Sequence, residues 1–423
     1  MKGNPMNVIP GWTILAYLDG NGELEPEIAA EYCELKAAAI NGKPKVLLQI
    51  GRLKQSTVQL IRPDAKPDQE IWDGVRRYQF NTDKEIPPED LGDINLADPN
   101  CLYDFLLWGL KNTNTKHVML ILGGHACEYI GLMNDYSGKY PAIMGIPELV
   151  TAIEMAANAG EHVIDLLLLD ACYCNNIETL YEFGYREDSA VKLLITYRQN
   201  ADAAGISFRE LLKTVGKSNI GSRPKELANK ICSELSADLV ARVVQSKSLR
   251  QLKRLFDSLA RRALSSNVCM GKDLSGLFSV KAGENKFEWN EAERISHIVS
   301  DLTISPKTKV QNTGKDIGIL DQYIPHQGLA SFYYRLAFAR DNAWAKLLCS
   351  QIKEKNYTLV VTIGFSPLLI PEAKVRGLIK SCNPYTNSFL INVICSKLID
   401  ERKWDKHLFP NIYLPNSADS LEK

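Results

Sequence analysis

The strongest constraint on this chain is a series of short, continuously apolar runs separated by segments with helical patterning. WTILAYL (12–18), VLLQI (46–50), HVMLIL (117–122), VIDLLLL (163–169) and VKLLIT (191–196) read as strands, and residues 25–41, 102–110 and 146–157, together with CNNIETLYEFG, read as helices. Strands that are apolar on both sides, rather than alternating, belong to a mostly parallel sheet covered on both faces. The expectation is therefore an α/β sandwich, a class whose ligands bind beyond the carboxyl ends of the strands.

Two of those ends carry reactive groups. HVMLIL runs into Gly-Gly-His-Ala-Cys-Glu (123–128), and VIDLLLL runs into Asp-Ala-Cys-Tyr-Cys (170–174). A helical crossover between them makes the two strands parallel, so His125 and Cys172 emerge at one edge. A thiol and an imidazole at that edge are the parts needed for nucleophilic acyl transfer. Backbone N–H groups of Ala126 and Cys172 are candidates for the oxyanion hole, and a following helix N-terminus would favour a thiolate. Two other readings of the same residues stand beside this one. Both groups could be structural, and His125, Cys127, Cys172 and Cys174 contain enough N and S ligands for zinc, although the C-x-C spacing is tight and no partner pair appears.

Composition narrows the classes of partner. Fifty basic residues balance fifty acidic ones among 423 residues, so no overall field selects nucleic acid or an anionic membrane. The basic cluster Lys253, Arg254, Arg261 and Arg262 lacks interleaved aromatics and reads as a solvated helix face. No apolar stretch is long enough for a membrane span, and the N-terminal run is broken by Asn, Pro and Gly, which makes it a first strand rather than a leader. Ten scattered cysteines do not make a disulfide framework, so a reducing cytoplasm is expected. No regular oxygen-ligand loop for calcium is present, and neither metal nor cofactor is expected. The chain divides into a core over 1–265 and a C-terminal α/β region over 266–423, of which about 328–350 packs on or completes the core.

In order along the chain, WTILAYLDGNGELEP, VLLQIGRLK, LGDINLADPNCLYDFLLWGLKN, HVMLILGGHACEYIGLMND and IDLLLLDACYCNNIETLYEFG resemble the clostripain family of cysteine peptidases, relatives of caspases, gingipains, legumain and separase. The resemblance covers the first 200 residues and resumes faintly in GLASFYYRLAFARDNAWAKLL from Gly328. It implies a caspase-like αβα sandwich with a mostly parallel central sheet and a C-terminal α/β extension. It also implies a Cys-His endopeptidase acting on protein or peptide substrates through a thioester, with His125 and Cys172 as the catalytic pair.

Asp170, two positions before the nucleophile, falls where the family resembles an S1 determinant for Arg or Lys. A carboxylate there could pair with a guanidinium, or could instead cap the next helix. Two departures qualify the match. Family members usually have His-Gly and further glycines where this chain has His125-Ala126-Cys127-Glu128, and a turn requiring positive φ would resist alanine. After VKLLIT the chain reads TYRQNADAAGISF in place of a Ser/Glu- and Gly-rich segment, with Asp202 as a replacement carboxylate. Self-cleavage, a family habit, has a counterpart at Lys139 in the turn-rich NDYSGKYPAIMG. The alternatives are a catalytically inactive caspase-like binding protein, and a self-processing regulatory protease with one cognate target or a regulatory protein partner.

Overall fold

The computed structural model describes residues 9–22, 24–39, 44–61, 65, 70, 72–80, 86–137, 142–198, 201, 204–217, 223–266, 274, 290–304, 318, 324, 330, 332–350, 361–363 and 391–393. Five parallel strands form the centre of an eight-stranded sheet: β1 (Ile9–Gly20), β2 (Lys45–Arg52), β5 (Thr115–Gly123), β9 (Leu166–Asp170) and β10 (Leu193–Tyr197). After α2 (Gln55–Ile61), two antiparallel strands, β3 (Gly74–Phe80) and β4 (Glu89–Gly92), extend one edge, and β11 (Leu239–Val243) closes the other. The order is β11-β10-β9-β5-β1-β2-β3-β4.

The continuous apolar runs divide their side chains between two cores. Leu15, Tyr17, Leu120, Leu122, Leu167 and Leu169 point to one face. There they meet α3 (Pro99–Lys111), α4 (Ile146–Ala159), α5 (Ile177–Gly184) and α8 (Ser246–Ser265). Ile14, Ala16, Leu18, Met119, Ile121, Leu166 and Leu168 point to the other, against α1 (Glu25–Ala39), α6 (Phe208–Lys217) and α7 (Pro224–Glu234). Period-two geometry sends alternate residues to opposite faces, so burying both requires apolar residues at every position. That requirement produces the unbroken runs and makes the molecule an αβα sandwich.

Between β5 and α4 the chain forms a separate three-stranded antiparallel sheet: β6 (Ala126–Cys127), β7 (Gly131–Asp135) and β8 (Ala142–Gly145). Asp135 fastens it to the turn after β1 and to the segment between β4 and α3, accepting from Asn21 Nδ2 at 2.8 Å and Leu96 N at 2.6 Å. The crossover from β5 to β9 thus contains more than a helix.

Residues beyond α8 return to the first core. α9 (Asn290–Leu302) packs on α8, and Tyr333, Phe338 and Trp344 are fully buried against α5 and α8, with a last helix, α10 (Ala343–Leu348), among them. Two buried carboxyls on α5 receive this segment. Glu178 accepts from Tyr333 Oη at 2.7 Å, and Glu182 accepts from Phe338 N at 3.0 Å.

Burial raises both carboxyls from the ordinary 4.5 to about 7. The folded chain therefore holds protons that the unfolded chain releases. This contribution to stability is complete below pH 4.5 and is lost as pH rises through about 7. We expect the melting temperature to fall by about 5 °C or more between pH 5 and pH 8. The double variant Glu178→Gln/Glu182→Gln should flatten that slope; an unchanged slope would contradict the assignment.

Candidate active site

The sheet register brings the two reactive turns together. Gly123, the last residue of β5, pairs with Asp170, the last residue of β9, and Gly124 N donates to Asp170 O at 3.2 Å. His125 and Cys172 each lie two residues past that shared rung, at the carboxyl edge. Gly124 has φ +151, and a Cβ there would stand 3.2 Å from Asp19 Cβ. Glycine thus turns the chain from β5 into β6 while passing tightly over the end of β1. The half-buried His125 is held by its backbone, since its carbonyl accepts from Met133 N at 2.9 Å.

The turn that carries Cys172 is fixed by its two asparagines. Asn175 Nδ2 donates to Arg198 O at 2.9 Å, tying the turn to the end of β10. Asn176 Nδ2 donates to Tyr173 O at 2.9 Å, while its Oδ1 caps α5 by accepting from Thr179 N at 2.7 Å. Tyr173 adopts φ 55, a left-handed conformation uncommon for a bulky residue. The Cys172 thiol is half-buried and lies 3.8 Å from Ala201 O, in the loop that follows β10. Burial first, and then the nearby Asp170, push this thiol up.

Two local expectations are corrected. The helix after Cys172 starts at Ile177, with Asn176 as its cap. The helix therefore begins five residues past Cys172, which lies outside its first turn, where the dipole's effect is concentrated. Ala126 does not occupy a positive-φ turn: it pairs with Leu132 in extended β6, and the left-handed positions nearby are Gly124 and Glu128. The absence of glycine at 126 therefore imposes no backbone strain.

Asp170 is only 5% exposed. Its Oδ1 accepts from Tyr197 Oη at 2.7 Å and its Oδ2 from Ile206 N at 3.1 Å. These bonds orient the carboxylate, and each oxygen keeps a further lone pair. Burial raises its pKa, opposed by Tyr197 and Ile206 N. It does not cap α5, since Asn176 does.

Cys127 and Cys174 are buried free thiols. Cys174 donates to Cys172 O at 3.3 Å and is raised by burial, which gives it a packing role under the turn. Asp202 and Lys139 lie outside the described residues. Among the described residues, no group of three or more His, Cys, Asp or Glu is arranged to hold a metal ion, and no helix is long and apolar enough to cross a membrane.

Sequence reading missed three neighbours of Asp170: Tyr197, Ile206 and Glu31, whose Oε1 lies with Asp170 Oδ2 beside Gly205. The first two act through a hydroxyl and a backbone N–H, which composition does not flag. Glu31 left a trace: with Ile28 and Leu35 it falls on the stripe of α1 that faces the core, where a carboxylate is out of place.

The sequence model of the clostripain family matches residues 46–362. No curated protein matches in sequence. Among solved structures, the chain is similar to a secreted C11 cysteine protease from Bacteroides thetaiotaomicron called iotapain, at 15% identity and a TM-score of 0.52, covering 80% of this chain and 99% of that one. It is also similar to an inactive zymogen C11 protease from Parabacteroides distasonis, at 14% identity and a TM-score of 0.51, covering 79% of this chain and 99% of the other. These two likenesses establish the caspase-like fold.

Proposed function

The chain belongs to the clostripain family and is a cysteine peptidase, and from that premise we propose that it is an endopeptidase whose catalytic pair is His125 and Cys172. The observation that carries this reading is the rung between Gly123 and Asp170, from which both residues project by equal lengths of chain.

Burial raises the Cys172 thiol, so the resting group is a thiol and a base must remove its proton as it attacks. His125 takes that proton. The sulfur adds to the scissile carbonyl, and the N–H groups of Cys172 and Ala126 receive the oxyanion. Collapse expels the amine, which leaves with the proton from His125 and yields a thioester. Water, deprotonated by the same imidazole, then releases the acid and restores the thiol.

Asp170 gives the enzyme its selectivity in this reading. It is a carboxylate fixed from two sides, two residues from the nucleophile, with no ion-pair partner among the described residues. Such a group suits the guanidinium or ammonium of a P1 Arg or Lys. The free cysteines scattered along the chain favour a reducing compartment such as the cytoplasm, which cell fractionation would check. The test of function is a panel of fluorogenic peptides with Arg, Lys, Asp or citrulline at P1. Cleavage of the Arg and Lys members alone supports the proposal, whereas preference for Asp or citrulline contradicts its specificity.

A further inference from the structure

Asp170 has a carboxylate neighbour on a different element. A Cβ placed on Gly205 would lie 2.2 Å from Glu31 Oε1 and 3.0 Å from Asp170 Oδ2. A Cβ on Gly123 would lie 3.9 Å from both Glu31 Oε2 and Asp170 Cβ. The two acids, from α1 and β9, thus meet between the end of β5 and the loop after β10. Gly205, at φ +64, covers them without a side chain, beside an exposed Ala204.

Other carboxylates of α1 show what a structural role looks like here. Glu25 is ion-paired to Arg52 at 2.6 Å. Glu34 accepts from Ser207 Oγ at 2.8 Å and Phe208 N at 3.1 Å, and also faces Arg209 at 3.8 Å. Among the described residues Glu31 has no such partner. It is 5% exposed, its Oε2 is buried without a hydrogen-bond partner, and among the described residues no Lys or Arg pairs with it or with Asp170. A buried carboxyl oxygen left without a donor is costly unless something else supplies one.

We propose that Glu31 is a second acidic determinant of the P1 subsite, placed beside Asp170 to receive the outer nitrogens of a cationic side chain. The inference rests on the reading of Asp170 as the P1 carboxylate. Asp170 spends one acceptor site of each oxygen on Tyr197 and Ile206 N, whereas Glu31 Oε2 keeps its acceptor sites open, so the two carboxylates together offer a guanidinium more acceptors and more negative charge than Asp170 alone.

Electrostatics agrees with the geometry. Burial, then Asp170, Glu34 and Glu27, push the Glu31 carboxyl up, and among the described residues no basic group opposes them. Tyr197 also faces the pair from β10. The empty subsite therefore shares protons, and a cationic P1 group entering it displaces a proton to solvent. KM for an Arg substrate should consequently fall as pH rises through the ionisation of the pair.

The test compares kcat/KM for matched Arg and citrulline peptides in the full chain, in Glu31→Gln and in Asp170→Asn. Alkylation of Cys172 by iodoacetamide and circular dichroism report that each variant is folded. Glu31→Gln should lower the Arg/citrulline ratio about tenfold or more, mainly through KM, and flatten the pH dependence of KM. If Asp170→Asn loses the ratio while Glu31→Gln keeps both the ratio and the KM profile of the parent, Glu31 is excluded and the Asp170 reading survives. If the parent shows no preference for Arg, or Asp170→Asn keeps that preference, the basic-P1 reading fails and takes this inference with it. Should Glu31→Gln fail to fold, Glu31→Asp retracts the charge by one methylene; an unaltered ratio there overturns the proposal.

Discussion

Cys172→Ala is expected to reduce kcat/KM on the best Arg or Lys peptide by at least ~10³-fold, and His125→Ala by a comparable factor, because each removes a group that forms or breaks bonds in the transition state. The double variant should be no slower than Cys172→Ala, since a base without its nucleophile has nothing to activate. Stability should change little. Cys172 is half-buried at the edge of the first core, and the turn around it is held by Asn175 and Asn176 rather than by the thiol. Steady-state kinetics with melting curves on all three variants checks this. Activity retained in Cys172→Ala would move the nucleophile elsewhere.

The second large effect is expected from Asp170→Asn. The amide can keep both neighbours, with its oxygen accepting from Ile206 N and its NH₂ donating to Tyr197 Oη, so the subsite should remain built. What disappears is the negative charge that offsets the desolvation of a P1 guanidinium. Loss of one partner of a buried charged pair corresponds to about 3 kcal/mol or more, roughly 10²-fold in the preference for Arg over citrulline. The same change should lower the pH at which Cys172 becomes alkylatable, because Asp170 is one of the two causes that raise its thiol. The alkylation profile and the substrate ratio are independent readouts. A variant that shifted neither would leave Asp170 as a structural residue.

The physics of the sheet explains which parts of this fold could be read in advance. Strands buried on both faces leave unbroken apolar runs, so β1, β2, β5, β9 and β10 were legible, as was the edge from which His125 and Cys172 emerge. The flanking strands were not. β3 contains GVRRYQF and β4 contains EDLG, edge sequences with little apolar signal that pair antiparallel with a neighbour already in place. β6–β8 are short, and their pairing depends on turns rather than on periodicity.

Site residues follow the same division. A thiol, an imidazole and a carboxylate at strand ends announce themselves by residue type. Tyr197 and the N–H of Ile206 serve Asp170 only through tertiary placement. Ala126 illustrates the opposite error: its departure from glycine suggested strain, but the required left-handed residue is Gly124, two positions earlier.

The most direct test of the central claim is mass mapping after reaction with an arginyl peptide chloromethylketone under reducing conditions. A single adduct on Cys172, blocked by excess Arg substrate and absent from His125→Ala at the same pH, is the predicted result. An adduct on Cys127, Cys174 or another cysteine, or none on a folded protein that cleaves Arg peptides, would contradict the assignment of Cys172 and His125.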